Sequence, residues 1–228
     1  MFGLKNYRLL VSSLREHNFS FSTDWNLEAK SRTVLMRHDI DFSVDDALVM
    51  AKLECDLNLR STYFFMLSSN MYNLLSKRNR DSVLEIKEMG HKVSLHFDPT
   101  IHERLEVFLN EREAFEMAFK SDIDIVSIHR PGKFLENNNI DLFGIKQTYQ
   151  DRFFKDFRYL SDSGGKDVSL AVSEFLSSSS EQVLHLLTHP VWWVRRVSTQ
   201  TLTLNQWRKD HFDIITEEIR KNCKTYEG

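Results

Sequence analysis

Short apolar segments, each followed at once by charged or imidazole side chains, recur along the chain and form its most informative pattern. The segments have the continuous hydrophobic character of strands buried on both faces, as in a parallel sheet. Between them lie stretches with apolar positions at helical spacing, such as Arg104–Phe119. This alternation predicts an α/β fold whose parallel sheet is closed or nearly closed into a barrel.

The individual elements follow from the same alternation together with capping signals. Ser43 precedes two aspartates and is expected to cap a helix, because a serine hydroxyl and first-turn carboxylates both favour a helix N-terminus. Gly90 is expected to end another helix. Three asparagines at 137–139 mark a loop in a region that shows no clear periodicity. The predicted helices are Tyr7–His17, Val44–Asn58, Asp81–Met89, Arg104–Phe119 and Leu204–Asn222, and the predicted strands are Thr33–Asp39, Ser61–Met66, Lys92–His96, Ile123–Ile128 and Val183–Leu187.

Composition narrows the class of protein. A length of 228 residues is ordinary for one α/β domain, so residues 1–228 are expected to form a single domain. The 30 basic and 33 acidic residues give a net charge of -3, and we expect no nucleic-acid partner because no basic cluster is present. With only 2 cysteines, we expect neither a disulfide framework nor a cysteine-ligated zinc site.

The sequence contains no pattern typical of export or of a membrane span. Charged residues interrupt Met1–Arg15, whose periodicity is helical rather than the unbroken apolar core of a signal peptide. The longest apolar runs fall far short of the roughly 20 residues that a membrane span requires. We therefore expect a soluble cytoplasmic protein, whose oligomeric state the sequence does not indicate.

Candidate chemistry lies in the polar clusters at the strand ends. Because parallel strands all end on the same face of a sheet or barrel, these clusters are expected to converge in one cleft. Carboxylates, imidazoles and a guanidinium in one cleft suit metal-assisted hydrolysis. The clusters are Arg37–Asp41, His96–Asp98, His129–Pro131 and Thr188–Pro190.

The first two clusters offer metal ligands and a base. Asp39 and Asp41 share a face of an extended chain, where two carboxylates repel unless a cation lies between them or one is protonated. One is expected to bind a metal and the other to act as a base, the alternative being a helix cap. His96 alone would more often be a core histidine, but the neighbouring clusters favour a ligand. Asp98 either fixes the imidazole tautomer or is an ordinary loop residue.

The last two clusters offer an arginine, a further imidazole and aromatic surface. Arg130 follows His129, and an arginine beside a base carboxylate would hold it ionised; an ordinary surface salt bridge is the alternative. Trp192 and Trp193 follow His189 and are candidates for stacking on a sugar ring, although tryptophans in such positions are more often core or interface.

Five segments resemble, in order, the motifs of the polysaccharide deacetylase superfamily, also known as the NodB-homology or carbohydrate esterase family 4 proteins. The resemblance is greatest to a divergent bacterial branch from surface-polysaccharide gene clusters. It implies a distorted (β/α) barrel of parallel strands with surrounding helices, and metal-dependent hydrolysis of an N-acyl or O-acyl group on a sugar. The segments are Arg37–Asp41, Gly90–Asp98, Ser127–Pro131, Ser161–Ser163 and Leu187–Trp192.

Matching by position also implies a role for each site residue. The expected cofactor is a divalent metal, zinc for preference, with cobalt, manganese or nickel as alternatives. Asp162, Trp192 and Trp193 are expected to contact the substrate. The resemblance implies that Asp39 is the general base, Asp41 and His96 bind the metal, Arg130 orients the base and His189 is the general acid.

The chain departs from the family pattern at two positions. Ile40 separates the two aspartates, which are adjacent in the better-known members. Thr100 stands where those members have their second metal histidine. We expect His129 to be the third ligand, with His102 and Asp98 as alternatives.

The resulting hypothesis is a hydrolase that removes an acetyl or formyl group from an amino sugar. Its substrate would be a nucleotide- or lipid-linked precursor of a bacterial surface polysaccharide such as O-antigen. Two alternatives remain open. One is a metal-independent amide hydrolase on the same fold, and the other is a catalytically silent barrel that binds a glycan or a protein partner.

Overall fold

The structure is a computed structural model that describes residues 2–28, 32–132, 134, 140–178, 182–195 and 199–227. The asparagines at 137–139 lie outside the described residues. Eight strands form one sheet, and every pairing between named strands is parallel. The strands are β1 (Ser20–Ser22), β2 (Thr33–Ile40), β3 (Thr62–Phe65), β4 (Lys92–Phe97), β5 (Ile125–Ile128), β6 (Lys146–Gln147), β7 (Arg158–Ser161) and β8 (Val183–Thr188).

The sheet curls into an incomplete barrel with strand order β6-β5-β4-β3-β2-β8-β7, and β1 pairs with the first residues of β2. Among the described strands, the terminal pair β6 and β7 share no ladder. Tyr149, just after β6, instead packs its ring 6.1 Å from that of Tyr159 on β7. The predicted distorted (β/α) barrel is confirmed.

Helices pack around the outside of the barrel. The Ser43 hydroxyl accepts the backbone N–H of Asp46 at 3.1 Å, which confirms the predicted cap. None of the described helices is both long and apolar enough to cross a membrane. The helices are α1 (Leu4–Glu16), α2 (Val44–Asp56), α3 (Lys77–Glu88), α4 (Val107–Phe119), α5 (Ser169–Ser178), α6 (Pro190–Val194) and α7 (Gln200–Asn222).

All five predicted strands and all five predicted helices are present, with shifted ends. The strands β1, β6 and β7 and the helices α5 and α6 were not predicted. The missed strands are short and only partly buried, so they lack the apolar run that reveals a strand in sequence.

Alternation along β2 determines what the barrel interior contains. Val34 and Met36 belong to the large core between sheet and helices, whereas Leu35 belongs to a smaller core inside the barrel. Because successive strand side chains point to opposite faces, Arg37 and Asp39 follow Leu35 into the interior. The interior therefore changes from apolar to charged toward the C-terminal strand ends, where the polar clusters lie.

On the helix side of the sheet, a buried carboxylate ties α1, α2, β2 and β3 together. Glu54 of α2 is fully buried and accepts hydrogen bonds from the hydroxyls of Tyr7 and Ser61. It also contacts Nε2 of His38 at 2.9 Å and accepts the Tyr63 hydroxyl at 2.7 Å. Burial alone would raise the pKa of Glu54, but the charge and hydrogen bond of His38 outweigh it and lower that pKa to about 2.

We expect Glu54→Gln to lower the free energy of unfolding by about 3–5 kcal/mol, because a buried charged cluster loses its anion. Because the pKa of Glu54 is lower in the folded state than in the unfolded state, its ionised carboxylate stabilises the fold fully at a pH above 4.5. This stabilisation is lost as the pH falls toward 2. The difference in free energy of unfolding between wild type and Glu54→Gln, measured by urea titration, should therefore decrease as the pH is lowered from 7 to about 3. Glu113→Gln, at an exposed position of α4, is the control. A difference that does not change with pH would show that the ionised Glu54 carboxylate is not the source of this stability.

Candidate active site

Asp39, at the C-terminal end of β2, is a carboxylate of the site that the structure holds firmly by hydrogen bonds and charge. Arg37 holds it in a two-pronged contact, with Nε 2.8 Å from Oδ1 and Nη2 2.6 Å from Oδ2. The Ser127 hydroxyl of β5 donates to Oδ2 at 3.0 Å. Burial alone would raise the pKa of Asp39, but the charges of Arg37 and His96 outweigh it and lower that pKa to about 2. Asp39 is therefore ionised and fixed in position at neutral pH.

The arginine on Asp39 is Arg37 and not Arg130, which the family resemblance implied. Arg37 is fully buried, two residues before Asp39 on the same face of β2. Arg130 lies in the wall of a cavity with Asp41 and His129. The period of two along a strand could have revealed the Arg37 contact in the sequence.

Three predicted metal ligands converge beside Asp39. Oδ1 of Asp41 is 3.3 Å from Nε2 of His96 and 3.4 Å from Nδ1 of His129, and the two imidazole nitrogens are 3.0 Å apart. These three atoms are called the ligand triangle below. They form the one group of its kind among the residues that the structure describes.

The triangle fits a divalent metal. Tetrahedral zinc with bonds of about 2.0–2.1 Å holds its ligands about 3.3 Å apart, close to the observed edges. Nδ1 of His96 is 3.3 Å from the Ser127 carbonyl, and donation to that oxygen leaves the Nε2 lone pair pointing into the triangle. Oδ1 of Asp41 is buried and has no hydrogen-bond partner among the described residues. A cation would satisfy all three atoms.

The two alternative ligands lie elsewhere. His102 contacts the Glu111 carboxylate through Nε2 at 2.9 Å and stacks on Phe97. Oδ1 of Asp98 accepts the backbone N–H of Thr100 at 2.9 Å and its hydroxyl at 2.6 Å. Oδ2 of Asp98 is 3.9 Å from Nε2 of His129, the ring nitrogen that does not face Asp41, so Asp98 lies on the far side of the His129 ring from the triangle. The geometry favours His129 as the third ligand.

His189 follows β8, and its ring is held by Asp162 at the end of β7. Nδ1 of His189 is 2.6 Å from Oδ1 of Asp162, and Nε2 is 3.8 Å from Oδ2 of Asp41. Burial alone would lower the pKa of His189, but the Asp162 charge and hydrogen bond raise it to about 9. The imidazole is therefore protonated at neutral pH and its Nε2–H faces the ligand triangle.

The structure differs from the expectation that Asp162, Trp192 and Trp193 contact the substrate. Asp162 and Trp193 have no exposed surface, and the Trp193 indole N–H donates to Oδ2 of Asp162 at 2.7 Å. Trp192 is also buried. Pro190 begins the short helix α6, which turns both tryptophans into the core. Asp162 and Trp193 therefore position His189.

Removing the Asp162 charge should lower the pKa of His189 from about 9 toward its ordinary value of 6.5, because burial then acts without the compensating anion. The measurement is an NMR titration of the His189 ring in wild type and in Asp162→Asn. Asp124→Asn, at an exposed position before β5, serves as the control. An unchanged titration midpoint in Asp162→Asn would show that another group controls the His189 proton.

A cavity of about 280 Å³ opens beside the triangle and gives a bound molecule access to it. Apolar side chains form one part of its wall, and hydroxyl, amide and charged groups form the rest. Its lining includes Asp41, Met66, Ser68, Asn70, His129 and Arg130.

No protein-family model and no curated protein matches this sequence. Among solved structures, a family 4 carbohydrate esterase from Bacillus anthracis matches with a TM-score of 0.47 at 14% identity, over 89% of this chain and 86% of that chain. The chitin deacetylase from the fungal pathogen Colletotrichum lindemuthianum matches with a TM-score of 0.45 at 14% identity, over 84% of this chain and 86% of that chain.

A CE4 family pseudoenzyme from Bacillus anthracis also matches, with a TM-score of 0.45 at 11% identity. The match covers 82% of this chain and 62% of that chain, so the chain spans less than two thirds of the pseudoenzyme. The structural neighbours of this chain are thus carbohydrate esterase family 4 proteins and related deacetylases, and they include a pseudoenzyme as well as enzymes.

Proposed function

We propose that this protein is a metal-dependent hydrolase that removes an N-acyl group, acetyl or formyl, from an amino sugar. The observation that carries the proposal is that the ligand triangle adjoins both a fixed carboxylate and a protonated imidazole. Oδ2 of Asp39 is 3.7 Å from Nε2 of His96, and Nε2 of His189 is 3.8 Å from Oδ2 of Asp41. A proton acceptor, a candidate Lewis-acid site and a proton donor therefore lie next to one another.

Asp41, His96 and His129 would hold the metal, with zinc preferred and cobalt, manganese or nickel as alternatives. A divalent ion held there would supply Lewis-acid chemistry, polarising the acyl carbonyl and lowering the pKa of water to about 7. Asp39 takes a proton from the attacking water. The low pKa of Asp39 makes it a weak proton acceptor, so this transfer would depend on the acidity that a divalent metal would give the water.

His189 acts on the leaving group. The hydroxyl of the attacking water bonds to the acyl carbon, the carbon–nitrogen bond breaks, and the Nε2–H of His189 protonates the departing amine. The products are a carboxylic acid and the free amino sugar. The Asp162 carboxylate accepts the Nδ1–H of His189, so the second proton of the imidazolium lies on Nε2, and Asp162 stabilises that charge before the transfer.

The finer proposal is that the substrate is a nucleotide- or lipid-linked precursor of a bacterial surface polysaccharide, processed in the cytoplasm. The cavity beside the triangle has a volume of about 280 Å³. That volume is near the lower end of ligand pockets, which hold about 300–1,000 Å³, and it suits one sugar ring rather than a long polymer.

The test offers the protein, loaded with zinc, cobalt or manganese, a panel of N-acetylated and N-formylated nucleotide sugars. We expect release of acid and free amine in equal amounts from at least one of them. His189→Gln should slow that release about 10²–10⁴-fold, as expected for loss of a general acid. Metal-loaded protein that releases neither product from any member of the panel would contradict the proposal.

A further inference from the structure

The cavity beside the ligand triangle is lined by one arginine side chain, that of Arg130, which forms no ion pair with any described residue. Arg130 lines the cavity, its side chain is exposed to it, and no carboxylate of the described residues pairs with it. Several other arginines are paired with carboxylates, for example Arg37 with Asp39, Arg78 with Asp45 and Arg195 with Asp46. Arg130 therefore has charge available for a bound molecule.

The backbone holds Arg130 in an unfavourable conformation. Its φ is 49°, in the left-handed region that non-glycine residues seldom adopt. Pro131 follows and restricts this backbone further. Such strain persists where the surrounding structure imposes it, commonly at ligand sites. Arg130 and its neighbour His129 both lie in the wall of this cavity.

Some of the other polar groups of the cavity already have partners within the protein. Oδ1 of Asp98 accepts from Thr100, and the Ser68 hydroxyl donates to Glu111 of α4 at 2.5 Å. Asp41 belongs to the ligand triangle. A neutral sugar would supply hydroxyl partners for this wall but no countercharge for Arg130.

Arginine suits one class of partner in particular. Its planar guanidinium presents parallel N–H donors that match the oxygens of a phosphate or carboxylate. Such a group would bind in the same cavity as the triangle, within the reach of one sugar ring. An anionic substituent on the amino sugar would therefore fix the ring against the reacting centre.

We infer that Arg130 is a specificity-determining residue that binds an anionic substituent, phosphate or carboxylate, on the amino-sugar substrate. This inference rests on the proposed function, since it assumes that the cavity receives the sugar. It narrows the substrate class to amino sugars that carry a negative charge near the acylated ring.

The test measures binding without turnover, by calorimetry of the zinc-loaded protein with deacylated sugars. The probes are glucosamine 1-phosphate, with a phosphate at C1, glucosaminuronic acid, with a carboxylate at C6, and methyl glucosaminide, which has no anion. We expect at least one anionic probe to bind about tenfold or more tighter than the methyl glycoside. Arg130→Gln should abolish this preference, Arg130→Lys should keep part of it, and Arg8→Gln on the exposed face of α1 should keep all of it.

The pattern of preference separates the two anion sources, because a phosphate site favours the first probe and a carboxylate site the second. Equal binding of all three probes to wild type, or a preference that survives Arg130→Gln, would overturn the inference. Deacylation of neutral N-acetyl glycosides without any anion preference would retain the proposed function and refute the role of Arg130. An Arg130-dependent preference for anionic probes in a protein that hydrolyses no amide would support the role of Arg130 in anion binding and refute the proposed hydrolase function.

Discussion

Asp39→Asn is expected to lower kcat for deacylation by about 10²–10⁴-fold while the metal stays bound, because it removes the proton acceptor and none of the three ligands. The amide cannot accept a proton near neutral pH, yet it keeps the shape of the carboxylate. The measurement is the rate of acid and amine release by metal-loaded protein, with metal content determined on the same samples. Asp124→Asn is the matched control at an exposed position.

The same variant separates the enzyme from a silent barrel. In an enzyme, Asp39→Asn loses most of its turnover and still binds the amino sugar, since the cavity lining does not include Asp39. A binding protein would show no turnover to lose and unchanged glycan binding. Turnover that persists at the wild-type rate in Asp39→Asn would assign the base to another residue.

Arg37→Met should impair both stability and turnover. It leaves the Asp39 carboxylate buried without its cation, and breaking one side of a buried ion pair costs about 3–5 kcal/mol of unfolding free energy. The pKa of Asp39 should rise, because burial then acts with less opposition. The acid limb of the pH–kcat profile should consequently move to higher pH. Urea unfolding and a pH–rate profile measure the two effects.

A double variant tests whether the two effects arise from the same ion pair. Arg37→Met combined with Asp39→Asn carries no unpaired buried charge, so we expect it to be more stable than Arg37→Met alone. It should still be inactive, because the proton acceptor is absent. Strictly additive losses of stability would show that Arg37 acts through contacts other than Asp39, such as the Tyr149 ring that lies 4.8 Å from its Cζ.

The sequence was informative where burial left a continuous apolar run. The strands β2, β4 and β8 are buried along nearly their whole length, so their positions and the convergence of their polar ends could be predicted. The strands β6 and β7 are short and only partly buried, and their pairing depends on partners far away in the chain. Their local sequence therefore carries little signal.

Within the candidate site, the order of the motifs predicted which residues lie there, but it did not predict which of these residues contact one another. The metal ligands and His189 converge because parallel strands end on one face. The arginine that contacts Asp39 was not predicted correctly. The family resemblance implied Arg130, whereas the contact is made by Arg37 on the same strand as Asp39. The roles of Asp162 and Trp193 depend on how β7 and α6 pack together, which no local pattern reveals.

The most direct test of the account is the metal content of the protein purified without chelator, measured by elemental analysis. Wild type should contain about one transition-metal ion per chain, whereas Asp41→Ala, His96→Ala and His129→Ala should each lose it. His102→Ala, outside the triangle, should retain it. Metal-free wild type that also fails to bind added zinc, or a His129→Ala variant that keeps a full equivalent, would contradict the proposed metal centre.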